Sequence, residues 1–503
     1  MQSGVQRNWT DATAFYAERD HRTQLEVNGL HRYVSMPVEI WVDRSLANDI
    51  TIQRITLVAA NLTARWSRNV RVVVPDVALA EPLQIHGDKT LASRIKREML
   101  EADPFGNFTI THTLEFDPAS IRLYVGSCKS QAFMVTANDY LVDAAGWTAL
   151  GRRGTIEDTY QRSSSTAPVA ALAGAIGAAD LFKRAIGQGV EHWLGDVNWC
   201  MWHNVMESAV SRCGAPAYGS SVAELGELLV AGVGAVGSAF LFILSLMPIR
   251  GRITAFDRDF VDASNLNRSP LFTATDAAVS RAKSEVALDL LRRCGIEGKA
   301  VQGTWTAFGE LLGRKNFDLW VSLTNEDGAW ADVPFQLPPV VLHGTTTSGW
   351  GIGFGRHVPR VEDCTLCRLP RPRAEFRGPC AEGDIAPPEN SQPIRASLPF
   401  LSTVSASLIA AEVLKLEFPE IISLPNAVYA DFRYGLPIVL SSLLGPTSGC
   451  PGCQITNSSL WIHRRGLSRH VSLSNAKHTS REQNVTFPDR SENVGSDLRI
   501  HGD

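Results

Sequence analysis

Charge of one sign is the first thing this chain lacks: 48 lysines and arginines stand against 52 aspartates and glutamates in 503 residues, a formal net charge of −4. Nucleic-acid binding needs a basic excess, so that partner class is excluded from the expectations. Long apolar runs are also missing. The most apolar stretch, Leu228 to Met247, is broken by three glycines and reads as a buried strand and helix, so no membrane partner is expected. Residues 1–20 include Arg7, Asp11, Glu18 and Arg19 and have no apolar core, unlike a signal peptide. A disulfide framework is absent too. Four of the nine cysteines form two Cys-x-x-Cys pairs, the usage of metal ligands in a reducing compartment, and the expected location is cytoplasmic.

At this length the chain exceeds one compact core and implies two domains or three. Its second half alternates strand and helix patterns. Glu227 to Ala231 is a short apolar run ending in a glycine turn, Ser238 to Leu246 is helix-compatible, and Arg252 to Phe256 is a second strand ending at Asp257. Ala278 to Arg293 has amphipathic helical spacing, while Phe317 to Leu323 and Pro339 to His343 read as buried strands. This alternation predicts an α/β fold with a mainly parallel sheet covered on both faces. Residues 361–398, with six prolines, interrupt it as an exposed crossover loop, and Phe400 to Leu416 resumes as a helix.

The first half has the same outline: a strand at Met36 to Val42, a helix at Ala47 to Trp66 and a strand at Asn69 to Val74. Between strand and helix, however, Asp43 to Asp49 contains no glycine, and side chains there would keep backbone amides away from a phosphate. Ala167 to Phe182 resembles Phe400 to Leu414 in its run of small residues. Together these point to a degenerate internal duplication, with an unrelated α/β or α+β domain as the alternative. Residues 457–503, rich in Ser, Arg, His and Asn, are expected to be a disordered tail.

Gly232, Gly234 and Gly237 follow a strand and open a helix. This spacing permits a tight turn, close approach of backbone to phosphate, and close packing of helix on strand. Asp257, at the end of the next strand, can hold ribose hydroxyls. The residues that follow separate ATP from a dinucleotide. Asp257-Arg-Asp-Phe-Val-Asp-Ala-Ser-Asn265-Leu-Asn-Arg268, with Lys283 beginning a helix, resembles the adenylation motif of the ubiquitin-activating enzymes and their bacterial ThiF/MoeB relatives.

The resemblance implies a Rossmann-like, ThiF-type adenylation domain over residues 216–456 and a degenerate adenylation-like domain over 1–215, fused as a monomeric pseudo-dimer. It implies ATP and Mg²⁺, with Asp257 on the ribose, Asn265, Arg268 and Lys283 on the phosphates, and Asp259 at the metal or at the attacking carboxylate. Where the family places a Mg²⁺-binding aspartate this chain has Asn325, with Glu326 and Asp327 as substitutes. Arg19 and Arg22 are the candidates for an arginine reaching over from the first half; the plainer reading makes them surface residues.

Cys364, Cys367, Cys450 and Cys453 can present four thiolates to one tetrahedral ion, and a closed set of protein ligands indicates structural zinc. Cys380 lies between the pairs. Its context, Gly378 to Gly383, resembles a loop segment of the bacterial relatives, where a thiolate favoured by Arg373 and Arg377 would carry an acyl group as a thioester. Cys128, Cys200, Cys213 and Cys294 are expected to be buried packing residues.

The function this implies is ATP-dependent activation of the C-terminus of a ubiquitin-like (β-grasp) protein, thioester formation on Cys380, and transfer to a ubiquitin-conjugating-like enzyme, in a bacterial antiviral ubiquitination-like system. One alternative is a sulfur-carrier protein adenylyltransferase serving thiamine, molybdopterin or tRNA thiolation. Another is a non-catalytic ATP-binding scaffold, which Asn325 keeps open. A dehydrogenase is disfavoured, since it has no need of clustered Asn, Arg and Lys.

Overall fold

The computed structural model describes residues 9, 11–24, 27, 30, 33–115, 117–127, 135–154, 163–187, 192–208, 213–217, 222–305, 316–324, 328–347, 350–368, 398–465 and 468–475. Two eight-stranded sheets account for its architecture. The first contains β1 (Val38–Val42), β2 (Asn69–Val73), β3 (Asn107–Thr111), β4 (Ile121–Val125), β5 (Tyr140–Ala145), β6 (Thr148–Arg153), β7 (Val197–Cys200) and β8 (Val205–Met206). The second contains β9 (Ala223–Ala231), β10 (Ile249–Asp257), β11 (Glu297–Gln302), β12 (Leu319–Ser322), β13 (Val340–Thr346), β14 (Gly351–His357), β15 (Ala427–Asp431) and β16 (Ile438–Ser442).

Strand order is β3-β2-β1-β4-β5-β6-β7-β8 in one sheet and β11-β10-β9-β12-β13-β14-β15-β16 in the other. Adding eight to every label of the first gives the second. Parallel and antiparallel pairings also coincide: β1 is parallel to both β2 and β4, as β9 is to β10 and β12, and the last three pairings of each sheet are antiparallel. The fold is therefore α/β, built of two halves with the same topology.

Helices α1 (Ala12–Arg19), α2 (Ile50–Ala64), α3 (Ala167–Ala185), α4 (Ala235–Leu244), α5 (Lys283–Arg293) and α6 (Leu401–Lys415) position the site. The two runs of small residues seen in the sequence are α3 and α6, which pack on each other across the seam; α3 also meets α2, and α6 meets α4. Small side chains allow this closeness. A Cβ on Gly174 of α3 would lie 2.9 Å from the Ile55 carbonyl of α2. At the centre Phe182 of the first half contacts Trp66, and also Trp350 and Phe400 of the second half. One apolar core thus runs through both halves. No helix among the described residues is long and apolar enough to cross a membrane.

Two expectations are corrected. Residues 459–465 and 471–474, read from the sequence as tail, are helical. Trp461 is buried with its indole N–H donating to the Pro338 carbonyl, and the buried Arg465 donates to the Leu337 carbonyl, so two side chains supply the anchoring that a polar composition conceals. Cys200 and Cys213 are buried as expected but are joined in a disulfide, because the Cys200 end of β7 and the returning chain bring their backbones to 5.6 Å. Residues 476–503, Cys128, Asn325, Glu326, Asp327, Arg373, Arg377 and Cys380 lie outside the described residues.

Candidate active site

β9 ends at Ala231, and Gly232 turns the chain at φ +100°, a conformation open to glycine and strained for other residues. A Cβ on Gly232 would lie 2.7 Å from the Leu323 carbonyl, and one on Gly237 would lie 2.1 Å from the Gly232 oxygen. Both positions require glycine for packing. Gly234 differs, because nothing lies within 4 Å of where its Cβ would stand. That gap sits at the start of α4, where unpaired amides and the positive end of the helix dipole favour an anion, so the cradle fits a phosphate.

Asp257 ends β10 beside this loop. One carboxylate oxygen accepts from the Val233 amide at 2.6 Å and the other from the Asp259 amide at 2.8 Å. Burial, opposed by Lys283, raises its pKa. The side chain therefore braces the glycine loop, and any hold on ribose would share its oxygens with those amides. Lys283, at the head of α5, is buried, and its Nζ donates to Asp259 at 3.2 Å; Asp259 itself is half exposed and also meets Arg258.

Asn265 and Arg268 come next along the chain. The Asn265 carbonyl oxygen accepts from the Asp262 amide in a reciprocal cap, leaving its NH₂ group for an anion. The Arg268 guanidinium is only 8% exposed, donates to the Ser264 carbonyl and to Asn267, and makes no ion pair with a carboxylate among the described residues. Burial first, and then the nearby positive charge of Arg22, hold its pKa well below the usual arginine range. Arg22 lies in the short helical turn His21–Gln24 of the first half. Of the two arginines expected to reach over, it is the one facing the site. Arg19 is neither a surface residue nor available, being fully buried against Asp20 and Asp103.

The first half also holds the loop that carries these groups. Arg65, just past α2 and 1% exposed, donates to the Leu266 and Pro270 carbonyls at 2.7 Å and to the Phe272 carbonyl at 3.3 Å. Asn61 adds a bond to the Pro270 carbonyl, and Asn267 donates to Thr23 at 2.7 Å. Sequence reading missed Arg65, since an arginine at a helix end carries no local signal of a partner two hundred residues away. In the first half's own counterpart of the cradle, Asp43 accepts from the Ser45 amide, the Ser45 hydroxyl and the Ser127 hydroxyl, while Asp49 caps α2. Its own side chains fill the phosphate space there.

Residues 221–321 match the ThiF family. Among solved structures, Escherichia coli MccB with MccA-N7isoASN is 17% identical and covers 63% of this chain and 97% of its own, with a TM-score of 0.36. The microcin C7 biosynthetic enzyme MccB in complex with N-formylated MccA is also 17% identical with the same coverage and a TM-score of 0.37. No curated protein matches the chain.

Cys364, Cys367, Cys450 and Cys453 of the second half meet in a cluster, their sulfurs 3.3–3.7 Å apart along three of its edges. Four thiolates at about 2.3 Å from one tetrahedral ion stand about 3.8 Å apart. The donor set therefore fits zinc. Filled, it would tie residues 364–367 to residues 450–453.

Proposed function

We propose that the chain activates the C-terminal carboxylate of a ubiquitin-like, β-grasp protein by adenylation. Arg268 is the observation that carries the reading. A buried guanidinium that makes no ion pair with a carboxylate among the described residues, and on which the charge of Arg22 from the other half outweighs that of Asp262, is unfavourable unless an anion enters. The triphosphate of ATP is such an anion, and Gly234 leaves it room. A carboxylate oxygen of the partner attacks the α-phosphorus, the bond to the bridging oxygen breaks, and pyrophosphate leaves an acyl-adenylate. Arg268 and Lys283 stabilise the charge spread over the phosphoryl oxygens, with the Asn265 NH₂ beside them. Mg²⁺ would be held by Asp259 together with Asn325, Glu326 or Asp327 and would neutralise phosphate charge.

A protein partner suits the open face of the second sheet. Tyr429 and Leu440 are directly opposed on β15 and β16, Ile438 lies two residues along on the same face, and all three are exposed. On β14, the space beside Gly351 is taken by the Thr347 and Tyr429 side chains, which lets Tyr429 lie along the sheet. The apolar strip gives a β-grasp domain its contact.

In the second step the Cys380 thiolate attacks the acyl carbon, AMP leaves, and the resulting thioester passes to a conjugating enzyme, as in a bacterial antiviral ubiquitination-like system running in the cytoplasm. Incubation with ATP and a β-grasp protein tests this step. A covalent adduct that free thiol reverses and Cys380→Ala abolishes supports it. A persulfide on Cys380 instead favours the sulfur-carrier alternative.

A further inference from the structure

Among the described residues, one group of metal-ligating side chains stands apart from both the candidate active site and the four-cysteine cluster. Cys200 closes β7, and the turn that follows places His203 three residues later, so both donors face one point; Cys213 returns to the same place. Their ligand atoms all lie within 4.8 Å of one another. The Cys200 sulfur is 3.6 Å from the His203 Nδ1. Sulfur and nitrogen donors on one tetrahedral zinc, at about 2.3 and 2.0 Å, stand about 3.5 Å apart, so this pair is already spaced as ligands.

We infer that Cys200, His203 and Cys213 form a second metal site for zinc or another soft divalent ion, opened when the Cys200–Cys213 disulfide is reduced. A low-molecular-weight thiol supplies the electrons: two RSH become RSSR, the disulfide becomes two thiols, and binding of the divalent ion releases two protons. Redox conditions link the two clusters. Cys364, Cys367, Cys450 and Cys453 bind metal only as thiolates, and a medium that keeps those four reduced also favours opening of the fifth and sixth.

Access exists, since Cys213 lines a cavity of about 730 Å³ together with Ser165, Met247 and Pro248. Three protein donors leave a fourth position for water or a small ligand. The site also touches the seam: between Cys200 and Cys213 the Trp202 carbonyl accepts from Lys415, and Asn204 donates to Glu412. Filling it would brace the connection between the halves from the first-half side.

Zinc content of the full chain, measured by elemental analysis after equilibration with zinc and removal of excess, is the test. Protein with its disulfide intact is expected to hold one zinc per chain, and protein reduced with a phosphine two. His203→Ala leaves the disulfide free to form, so its fold is protected, and it should stay at one after reduction. Reduced Cys364→Ser/Cys450→Ser protein should also hold one. A count of one in reduced wild-type protein, abolished by Cys364→Ser/Cys450→Ser and unaffected by His203→Ala, overturns the inference and leaves a disulfide staple. The count does not depend on adenylation, so it stands or falls apart from the proposed activity.

Discussion

The Arg65 guanidinium of the first half donates to the Leu266 carbonyl of the second at 2.7 Å, one residue past Asn265 and two before Arg268. The half whose corresponding loop is occupied by Asp43 thus shapes the loop of the half with the glycine turn. Arg65→Met would leave the Leu266, Pro270 and Phe272 carbonyls without this donor. Each buried unpaired group costs about 1–3 kcal/mol, so a loss of stability on the order of 3 kcal/mol is expected in chemical denaturation. Misplacing Arg268 should also lower the rate of ATP–pyrophosphate exchange at least tenfold in molecules that remain folded. Unchanged exchange would show that the loop holds its shape without the first half.

Gly234 and Gly237 separate binding from folding. Gly234→Ala adds a methyl to empty space, so the melting temperature should stay near wild type while ATP affinity falls roughly tenfold through crowding of the phosphate. In Gly237→Ala the methyl would press on the Gly232 carbonyl, and destabilisation of about 1–3 kcal/mol is expected. Calorimetric ATP titration together with thermal melts distinguishes the two.

Lys283→Ala and Arg268→Ala remove transition-state charge stabilisation. Each should reduce exchange roughly 10²–10³-fold. Because neither touches the cysteine cluster, zinc content should not change. Loss of zinc alongside activity would point to unfolding rather than chemistry.

The outline of this fold was legible because local patterns carry it. The glycine turn at Gly232, the strands flanking it and the small-residue runs of α3 and α6 all follow from periodicity, and the repeat between those two runs announced the duplication. The two Cys-x-x-Cys pairs were readable for the same reason, each being a local motif. Long-range partners were not legible. The carbonyls that Arg65 reaches, the carboxylates that bury Arg19 and the Pro338 oxygen that anchors Trp461 become neighbours only when the chain is folded. The Cys200–Cys213 bond was missed because composition indicated a reducing compartment and neither cysteine lies in a paired motif.

Stability should depend on pH through the partly buried His86 and the buried His470. His86 is pushed from 6.5 down to about 3, by burial first and then by Arg94, and His470 to about 4, by burial and then Arg469. The folded protein holds both rings neutral, whereas the unfolded chain takes up protons below about 6.5, so stability is complete above that pH and is lost as pH falls toward 3–4. Melting temperatures between about pH 7 and 5 should fall, and fall less steeply in His86→Gln. An identical slope in that variant would remove His86 from the account.

ATP–pyrophosphate exchange with a small β-grasp protein as acceptor tests the central claim most directly. The account predicts exchange that requires the acceptor's free C-terminal carboxylate, and that is lost in Lys283→Ala while zinc content is retained. ATP binding with no exchange from any such acceptor, unaffected by Lys283→Ala, would contradict it and identify the chain as a nucleotide-binding scaffold.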